Sequence, residues 1–177
     1  NHGKLWREPA WVDGRFGKAL EFDGQSFVWV KGAVDLPEGT SPRTLMCHFK
    51  WAEVNDFADA VRWISDAEVL LCLGTNNWRA RTSLQICAEG GPGMDTAHDR
   101  QMFAWDADTE WHHIAGVFPD GATTSGEFVF YLDGVRQEDT FMAEGVNGID
   151  TEGGEAAIGC WTVGPISFFK GIIDDAA

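Results

Sequence analysis

Adjacent histidines, His112 and His113, are the first candidates for acid–base chemistry in the sequence. They open a segment of alternating pattern that ends at Phe118 and predicts a β-strand. Neighbours on a strand lie on opposite faces, so one histidine is expected to face the core or an adjoining sheet and the other solvent. Side chains on opposite faces cannot act together on one substrate, and we expect neither to be catalytic.

Paired carboxylates, which glycoside hydrolysis needs about 5–10 Å apart, are missing at a useful spacing. Glu21 and Asp23 share one face of a predicted strand, but Asp23 falls in a turn and no further carboxylate follows it closely. Glu53, Asp56 and Asp59 have a spacing that alternates between the two faces of a strand. A G-x-S-x-G nucleophile motif is also absent from the sequence. We therefore predict that the protein is not an enzyme.

Tryptophans in polar segments indicate carbohydrate binding instead. The C–H faces of a sugar stack on an indole ring, and flanking amide, carboxylate and guanidinium groups bind its hydroxyls. Trp78 lies in the polar, turn-like segment 75–79, while Trp63 and Trp105 each adjoin a charged residue. The predicted sugar-binding residues are Trp63, Asn76, Asn77, Trp78, Arg79 and Trp105.

Three other tryptophans, Trp29, Trp51 and Trp111, lie within strand patterns, and we expect them in the core. A Trp78→Ala substitution is expected to abolish glycan binding while changing stability little. A large loss of stability would instead place Trp78 in the core.

Charge excludes several classes of partner. Lysine and arginine number 13 against 28 aspartates and glutamates, a net charge of −15. Phosphate recognition depends on lysine and arginine, so a nucleic-acid partner or an anionic membrane surface is not expected. No apolar run approaches the roughly 18 residues of a membrane span, so no membrane insertion is expected. A neutral or cationic partner, or a metal ion, remains.

Calcium is the metal that the acidic side chains would suit, because it takes about 6–8 oxygen ligands. Carboxylates at 23, 106/108, 120 and 174/175 are candidate ligands, and no EF-hand spacing occurs. The cysteines are Cys47, Cys72, Cys87 and Cys160. They form no C-x-x-C motif, so a zinc site is not expected. Oxidised, they allow three pairings; reduced, they would serve as small apolar residues on strands.

The elements that must position these residues are strands. Alternation predicts strands at 19–22, 27–30, 44–51, 69–73, 82–88, 112–118, 127–132, 156–160 and 167–173. Asp-Gly pairs at 23–24, 120–121 and 133–134 are strong turn signals. Many short strands with frequent turns predict an all-β sandwich or barrel.

One segment departs from this pattern. Phe57, Ala60, Val61 and Ile64 have helical spacing, which leaves a short helix and an irregular loop as alternatives. Segments 89–99 and 143–155 are predicted loops. No linker or internal repeat divides the chain, so one domain spanning 1–177 is expected. The opening without Met and the abrupt end suggest a domain excised from a larger protein.

Four strings carry a family resemblance. The segment 16–24, FGKALEFDG, resembles a signature of the LamG-like jelly-roll family, within the concanavalin A-like lectin/glucanase superfamily. The segments WHHIAGVF at 111–118 and FVFYLDGV at 128–135 resemble its next two strands. Ile158-Gly159 and FFKGIIDD at 168–175 resemble its closing strand. The middle section, 52–106, resembles the family least, and ligand specificity would lie there.

The resemblance implies two antiparallel sheets packed as a concanavalin A-like jelly roll. It also implies that the histidine pair is structural. Related domains often hold a structural Ca²⁺, and the matching positions here are Asp174 and the Gly24 carbonyl, with Asp23 a weaker candidate.

These inferences favour a non-catalytic, lectin-like module of a secreted or cell-surface protein that binds a neutral or cationic glycan. One alternative is a structural or adhesion module that binds an extracellular protein or spaces domains. A divergent glycan-processing enzyme is the third choice.

Overall fold

Fifteen β-strands form the part of the chain that the structure, a computed structural model, describes. That part comprises residues 2–32, 36–53, 58–64, 70–78, 81–89, 98–104, 108–123, 127–138, 141–142, 154–160 and 167–177. Of Asp59 and residues 62–64, 70–78, 81–89, 98–104 and 141–142, it describes the backbone and the strand pairing. The strands are β1 (Lys4–Trp6), β2 (Ala10–Asp13), β3 (Lys18–Asp23), β4 (Phe27–Val30), β5 (Arg43–Trp51), β6 (Ala58–Ile64), β7 (Leu70–Trp78), β8 (Arg81–Glu89), β9 (His98–Ala104), β10 (His112–Phe118), β11 (Val129–Leu132), β12 (Val135–Arg136), β13 (Phe141–Met142), β14 (Glu155–Ile158) and β15 (Lys170–Asp174).

The strands form two antiparallel sheets. The eight-stranded sheet has the order β1-β4-β14-β6-β7-β8-β9-β13, and the seven-stranded sheet has the order β12-β11-β10-β5-β15-β3-β2. The predicted all-β, two-sheet sandwich is therefore confirmed. Strands distant in sequence lie side by side, and the last strand, β15, sits between β3 and β5.

The core lies between the sheets, and strands of both sheets contribute buried apolar side chains to it. On β5, Leu45, Cys47, Phe49 and Trp51 are buried at alternate positions. Among the residues whose side chains the structure describes, the largest fully buried ones are Trp51, Phe22, Phe49, Phe118, Phe130 and Phe169. Aromatic rings form a large part of the described core, with Phe49 packed edge-on against Trp51 at a centroid distance of 5.1 Å.

The Asp133-Gly134 signal is confirmed as a hairpin turn joining β11 to β12. Asp133 has a φ of 51° and Gly134 a φ of 78°. Positive φ at both central residues is the geometry of a type I′ turn, which matches the twist of the flanking strands.

The segment with helical spacing is a strand, so the helix and loop alternatives are both wrong there. Ala58–Ile64 forms β6 and pairs with β7 through an irregularity between Asp59 and Val61. That irregularity lets Ala58, Ala60 and Val61 all be buried, which mimics a helical spacing of apolar residues. At the ends of the predicted loop 89–99, Glu89 belongs to β8 and residues 98–99 belong to β9, while residues 90–97 lie outside the described residues. No helix among the described residues is long and apolar enough to cross a membrane.

Candidate functional site

The eight-stranded sheet has one face toward the core and one away from it, and the register distinguishes them. Val28 and Val61 belong to the core, Ile158 packs against them, and the pairing aligns all three across β4, β14 and β6. The next aligned positions, Trp29, Ala157 and Arg62, therefore lie on the opposite face, here named the outer face.

Strand pairing aligns one residue from each of seven strands across this outer face. We name this set the central row: Lys4, Trp29, Ala157, Arg62, Cys72, Cys87 and Arg100. Three of its members are cationic, in a chain whose net charge is −15. The row therefore combines an indole with hydrogen-bond donors along one line of the sheet.

Trp29 is the described aromatic member of the central row, and its side chain is partly buried. Its indole Nε1–H donates a hydrogen bond of 2.8 Å to the Glu155 carboxylate. The Lys31 Nζ lies 5.4 Å from the centroid of the ring, within the range of a cation–π contact. Ala157, beside Trp29 in the register, is small and buried.

These contacts fix the ring before any ligand arrives. A charged acceptor makes the stronger kind of hydrogen bond, so Glu155 limits rotation of the indole. A fixed aromatic surface next to a carboxylate and an ammonium group can stack on an apolar ligand face while hydrogen-bonding hydroxyl groups at its edge. Sequence reasoning missed this residue, because the apolar neighbours of Trp29 on β4 gave no sign of which face is exposed.

The structure divides the predicted sugar-binding residues between the two faces. Asn76 and Trp78 alternate in phase with Cys72 along β7 and take outer-face positions. Asn77 is out of phase with them, and Trp63 is two positions from the buried Val61, so both take core-facing positions. Arg79 and Trp105 lie outside the residues that the structure describes.

The expectation of core tryptophans holds in part. Trp51 is fully buried. The expectation was wrong for Trp29, which lies on the outer face, and Trp111 is only partly buried at the entrance to β10. Period-two alternation identifies a strand without stating which of its faces is covered when both faces carry apolar residues.

The candidate calcium ligands are not brought together. Asp23 pairs with Lys170 at the start of β15, whereas Asp174 is four residues further along, about 13 Å away at the usual rise per residue. Asp23 already accepts hydrogen bonds from the Gln25 and Ser26 backbone N–H groups at 2.9 and 2.8 Å, which hold its pKa below the ordinary value. Asp23, the Gly24 carbonyl and Asp174 therefore do not form a common site.

Asp174 has a structural role in the described part of the chain. Its buried carboxylate accepts hydrogen bonds from the backbone N–H groups of Phe16 and Asp175, each at 3.0 Å. The first of these fastens the loop between β2 and β3 to the seven-stranded sheet. His48, aligned with Asp174, contacts His113 with ring centroids 4.6 Å apart. Burial, followed by the charge of His113, lowers the pKa of His48.

A cavity of about 280 Å³ opens at the end of β3. Its lining comprises Glu8, Pro9, Ala10, Glu21, Phe22, Asp23, Ser26, Ala52 and Lys170. Lys170 also forms an ion pair with Glu53.

The histidine pair is divided between faces as the strand pattern predicts. His113 aligns with His48 on the outward face of β10, and His112 aligns with the buried Phe49. The two ring nitrogens of His112 lie 2.8 Å from the Asp133 carboxylate and 2.9 Å from that of Asp108. Burial lowers the pKa of His112, but the hydrogen bonds that its ring donates to both carboxylates outweigh burial and raise the pKa above its ordinary value. The arrangement ties the β11–β12 turn to the start of β10.

No protein-family profile matches the chain, and no curated protein matches it in sequence. Among solved structures, it is similar to domain 4 of AbnA, a GH43 extracellular arabinanase from Geobacillus stearothermophilus, determined in complex with arabinotriose. The TM-score is 0.66 and the identity 20%, over 97% of this chain and 79% of that one. A functionally unknown protein from Saccharomyces cerevisiae aligns with a TM-score of 0.48 and 9% identity, over 99% of this chain and 94% of that one. The likeness to the arabinanase domain agrees with the two-sheet β-sandwich.

Proposed function

We propose that this protein is a non-catalytic carbohydrate-binding module that holds a neutral oligosaccharide against the outer face of its eight-stranded sheet. The observation that carries the proposal is Trp29. Its ring lies partly buried on that face, its N–H is fixed by Glu155, and Lys31 lies within cation–π distance. A sugar ring would stack on the indole, and charged groups at its edge would bind hydroxyls.

The central row gives this proposal an extended site. Arg62 and Arg100 occupy outer-face positions aligned with Trp29, and Gln85 lies two residues from Cys87 on the same face. Guanidinium and amide groups are well suited to sugar hydroxyls, because they donate several hydrogen bonds in fixed directions. Asn76 and Trp78, which the sequence singled out, extend the same face along β7.

The solved neighbour supports the ligand class. That domain, of the same fold, is described in complex with arabinotriose. A short neutral oligosaccharide of this kind also agrees with the chain's net charge of −15, which disfavours a polyanionic glycan. The neighbour belongs to an extracellular enzyme, and we propose an extracellular or cell-surface setting here too.

A glycan array that includes arabinotriose tests the proposal, run once with Ca²⁺ and once with a chelator. We expect binding to neutral oligosaccharides. Binding that survives chelation places recognition on the aromatic face alone, while loss on chelation would show that binding also needs a metal ion. A preparation that binds no glycan overturns the proposal.

Substitution of Trp29 locates the site. We expect Trp29→Ala to weaken the affinity for the array's strongest ligand at least tenfold, equal to about 1.4 kcal/mol, by isothermal titration calorimetry. Trp11→Ala is the matched control, because Trp11 is 64% exposed on the other sheet. Trp78→Ala tests whether the ligand extends along β7. Equal affinities of wild type and Trp29→Ala would exclude this ring.

A protein-binding module is the second candidate, and the edge strands favour it. Trp6 on β1 and Trp11 on β2 are 43% and 64% exposed, and Phe16 is 62% exposed. β1 and β2 are edge strands of the two sheets, and large exposed apolar side chains at edges are typical of association surfaces. A blank array together with loss of a protein partner in Trp6→Ala and Trp11→Ala would support this function.

A further inference from the structure

The register of the eight-stranded sheet places two cysteines directly opposite one another. Cys72 on β7 aligns with Cys87 on β8, within an uninterrupted nine-residue antiparallel pairing. Opposed residues in such a pair have Cα atoms about 4.5–5.5 Å apart. A disulfide spans Cα separations of about 4.4–6.8 Å, so the backbone already satisfies the distance that the bond requires.

The two cysteines also share a face. Both belong to the central row, the set of outer-face positions that includes Trp29. An arginine flanks each cysteine in this row: Arg62 is aligned with Cys72, and Arg100 is aligned with Cys87. A neighbouring cation favours the thiolate, which is the nucleophile in thiol–disulfide exchange.

The other two cysteines differ in both respects. Cys47 and Cys160 are thiols with fully buried side chains. Burial raises the pKa of Cys47 to about 12, so that it stays a thiol at neutral pH. The four cysteines thus divide into an outer-face pair and two inert core residues.

We propose that Cys72 and Cys87 form a reversible cross-strand disulfide on the outer face of the sheet, with a low-molecular-weight disulfide such as glutathione disulfide as the oxidant. One cysteine thiolate attacks a sulfur of glutathione disulfide, forming a mixed disulfide and releasing one glutathione thiolate. The second cysteine thiolate then attacks the protein sulfur of that mixed disulfide and releases the second glutathione. Two cysteines are oxidised, one glutathione disulfide is reduced to two glutathiones, and the cysteine protons leave with them.

Such a bond would tie β7 to β8 across the row that contains Trp29. A cross-link stabilises a fold mainly by restricting the unfolded chain, so the oxidised protein should unfold at a higher temperature. An extracellular setting would favour the oxidised form. The inference stands on the register alone and does not depend on the proposed sugar binding.

The test is incubation of the reduced full-length chain with glutathione disulfide, followed by trapping of thiols under native conditions and peptide mapping. We expect one internal disulfide joining Cys72 to Cys87, with Cys47 and Cys160 modified only after denaturation. The midpoint of thermal unfolding should rise on oxidation and return with dithiothreitol. Stable glutathione adducts on both outer-face cysteines without a bridge, or a bridge to Cys47 or Cys160, would overturn the inference.

Two variants control for side reactions. Cys72→Ser and Cys87→Ser each leave one outer-face thiol, which should retain glutathione as a mixed disulfide and show no rise in the unfolding midpoint from an internal bond. If either variant gained the same stabilisation as the wild type on oxidation, the change would not come from a Cys72–Cys87 bond.

Discussion

At the residue scale, His112 links stability to pH through two carboxylates. The hydrogen bonds and charges of Asp133 and Asp108 raise the pKa of the folded imidazole above the ordinary value of 6.5 in spite of burial. The pKa of Asp133 is lowered, because hydrogen bonds from the His113 backbone and His112 outweigh the effect of burial. The interaction of His112 with the two carboxylates is strongest when the imidazole is protonated and the carboxylates are ionised.

The sign of the pH dependence follows. A raised folded pKa gives stability that is complete below the unfolded value of 6.5 and is lost as pH rises through the folded pKa. The lowered pKa of Asp133 gives stability that is lost in acid. We expect the stability contributed by the His112–Asp133 interaction to be greatest between the pKa of Asp133 and the pKa of His112. It should decline above about pH 6.5.

Asp133→Asn isolates this contribution, since asparagine keeps an oxygen for the His113 backbone N–H and tolerates the positive φ of 51°. The difference in unfolding free energy between wild type and variant, measured in urea from about pH 5 to 9, should shrink as the pH rises. His48, whose pKa is lowered, changes stability with pH in the opposite direction. Taking the difference between wild type and variant cancels that contribution, because both proteins contain His48. A difference that does not vary with pH would contradict the assignment.

At the element scale, β15 fits between β3 and β5 only because Gly171 has no side chain. Its φ is +145°, and a Cβ there would overlap the Lys50 carbonyl oxygen and approach the Trp51 Cα to 2.8 Å. These are backbone atoms of β5, which cannot move aside without breaking the pairing of Gly171 with Trp51. The closing strand therefore depends on this glycine.

We expect Gly171→Ala to lower the unfolding free energy by about 2–4 kcal/mol, the combined effect of backbone strain and overpacking. Gly121→Ala is the matched control, because its φ is +78° and a Cβ there meets nothing within 4 Å. That change should cost only about 1–2 kcal/mol, the ordinary penalty for a left-handed residue. Equal losses in denaturant titrations would show that steric contact with β5 is unimportant.

The sequence predicted turns and strands well where neighbouring residues alone determine them. The Asp133-Gly134 turn and the strands around Phe49 follow from two-residue turn preference and from alternation with one buried face. The face that Trp29 occupies depends on pairing of β4 with β14, and its partner Glu155 is 126 residues distant in the chain. No local pattern carries that information, because Phe27 and Val28 beside it are both buried.

At the scale of the whole molecule, the two sheets differ in the features that they carry. The seven-stranded sheet carries the buried Asp174 carboxylate, the His112–Asp133 hydrogen bond and the close approach of Gly171 to the β5 backbone. The eight-stranded sheet presents the central row, where Trp29, cationic positions and the opposed cysteines align. The proposed recognition face and these stabilising contacts therefore lie on different sheets.

The fold class was predictable from composition, turns and the four resembling strings, and the solved neighbour agrees with it. The site was predictable only in kind. The predicted role of tryptophan beside polar groups stays a prediction, and among the predicted residues Asn76 and Trp78 take outer-face positions. Trp63 and Asn77 take core-facing ones, since position in a sheet is decided by pairing partners that the sequence does not name.

The most direct measurement is the indole N–H region of a ¹⁵N-correlation spectrum during titration with the strongest array ligand. Nine tryptophans give nine indole signals, and that of Trp29 is identified by its loss in Trp29→Ala. Its N–H donates to Glu155 on the proposed binding face, so a stacked sugar should shift it, while the signal of the buried Trp51 should stay in place. Saturation of binding with the Trp29 signal unmoved would contradict the assignment of recognition to this face.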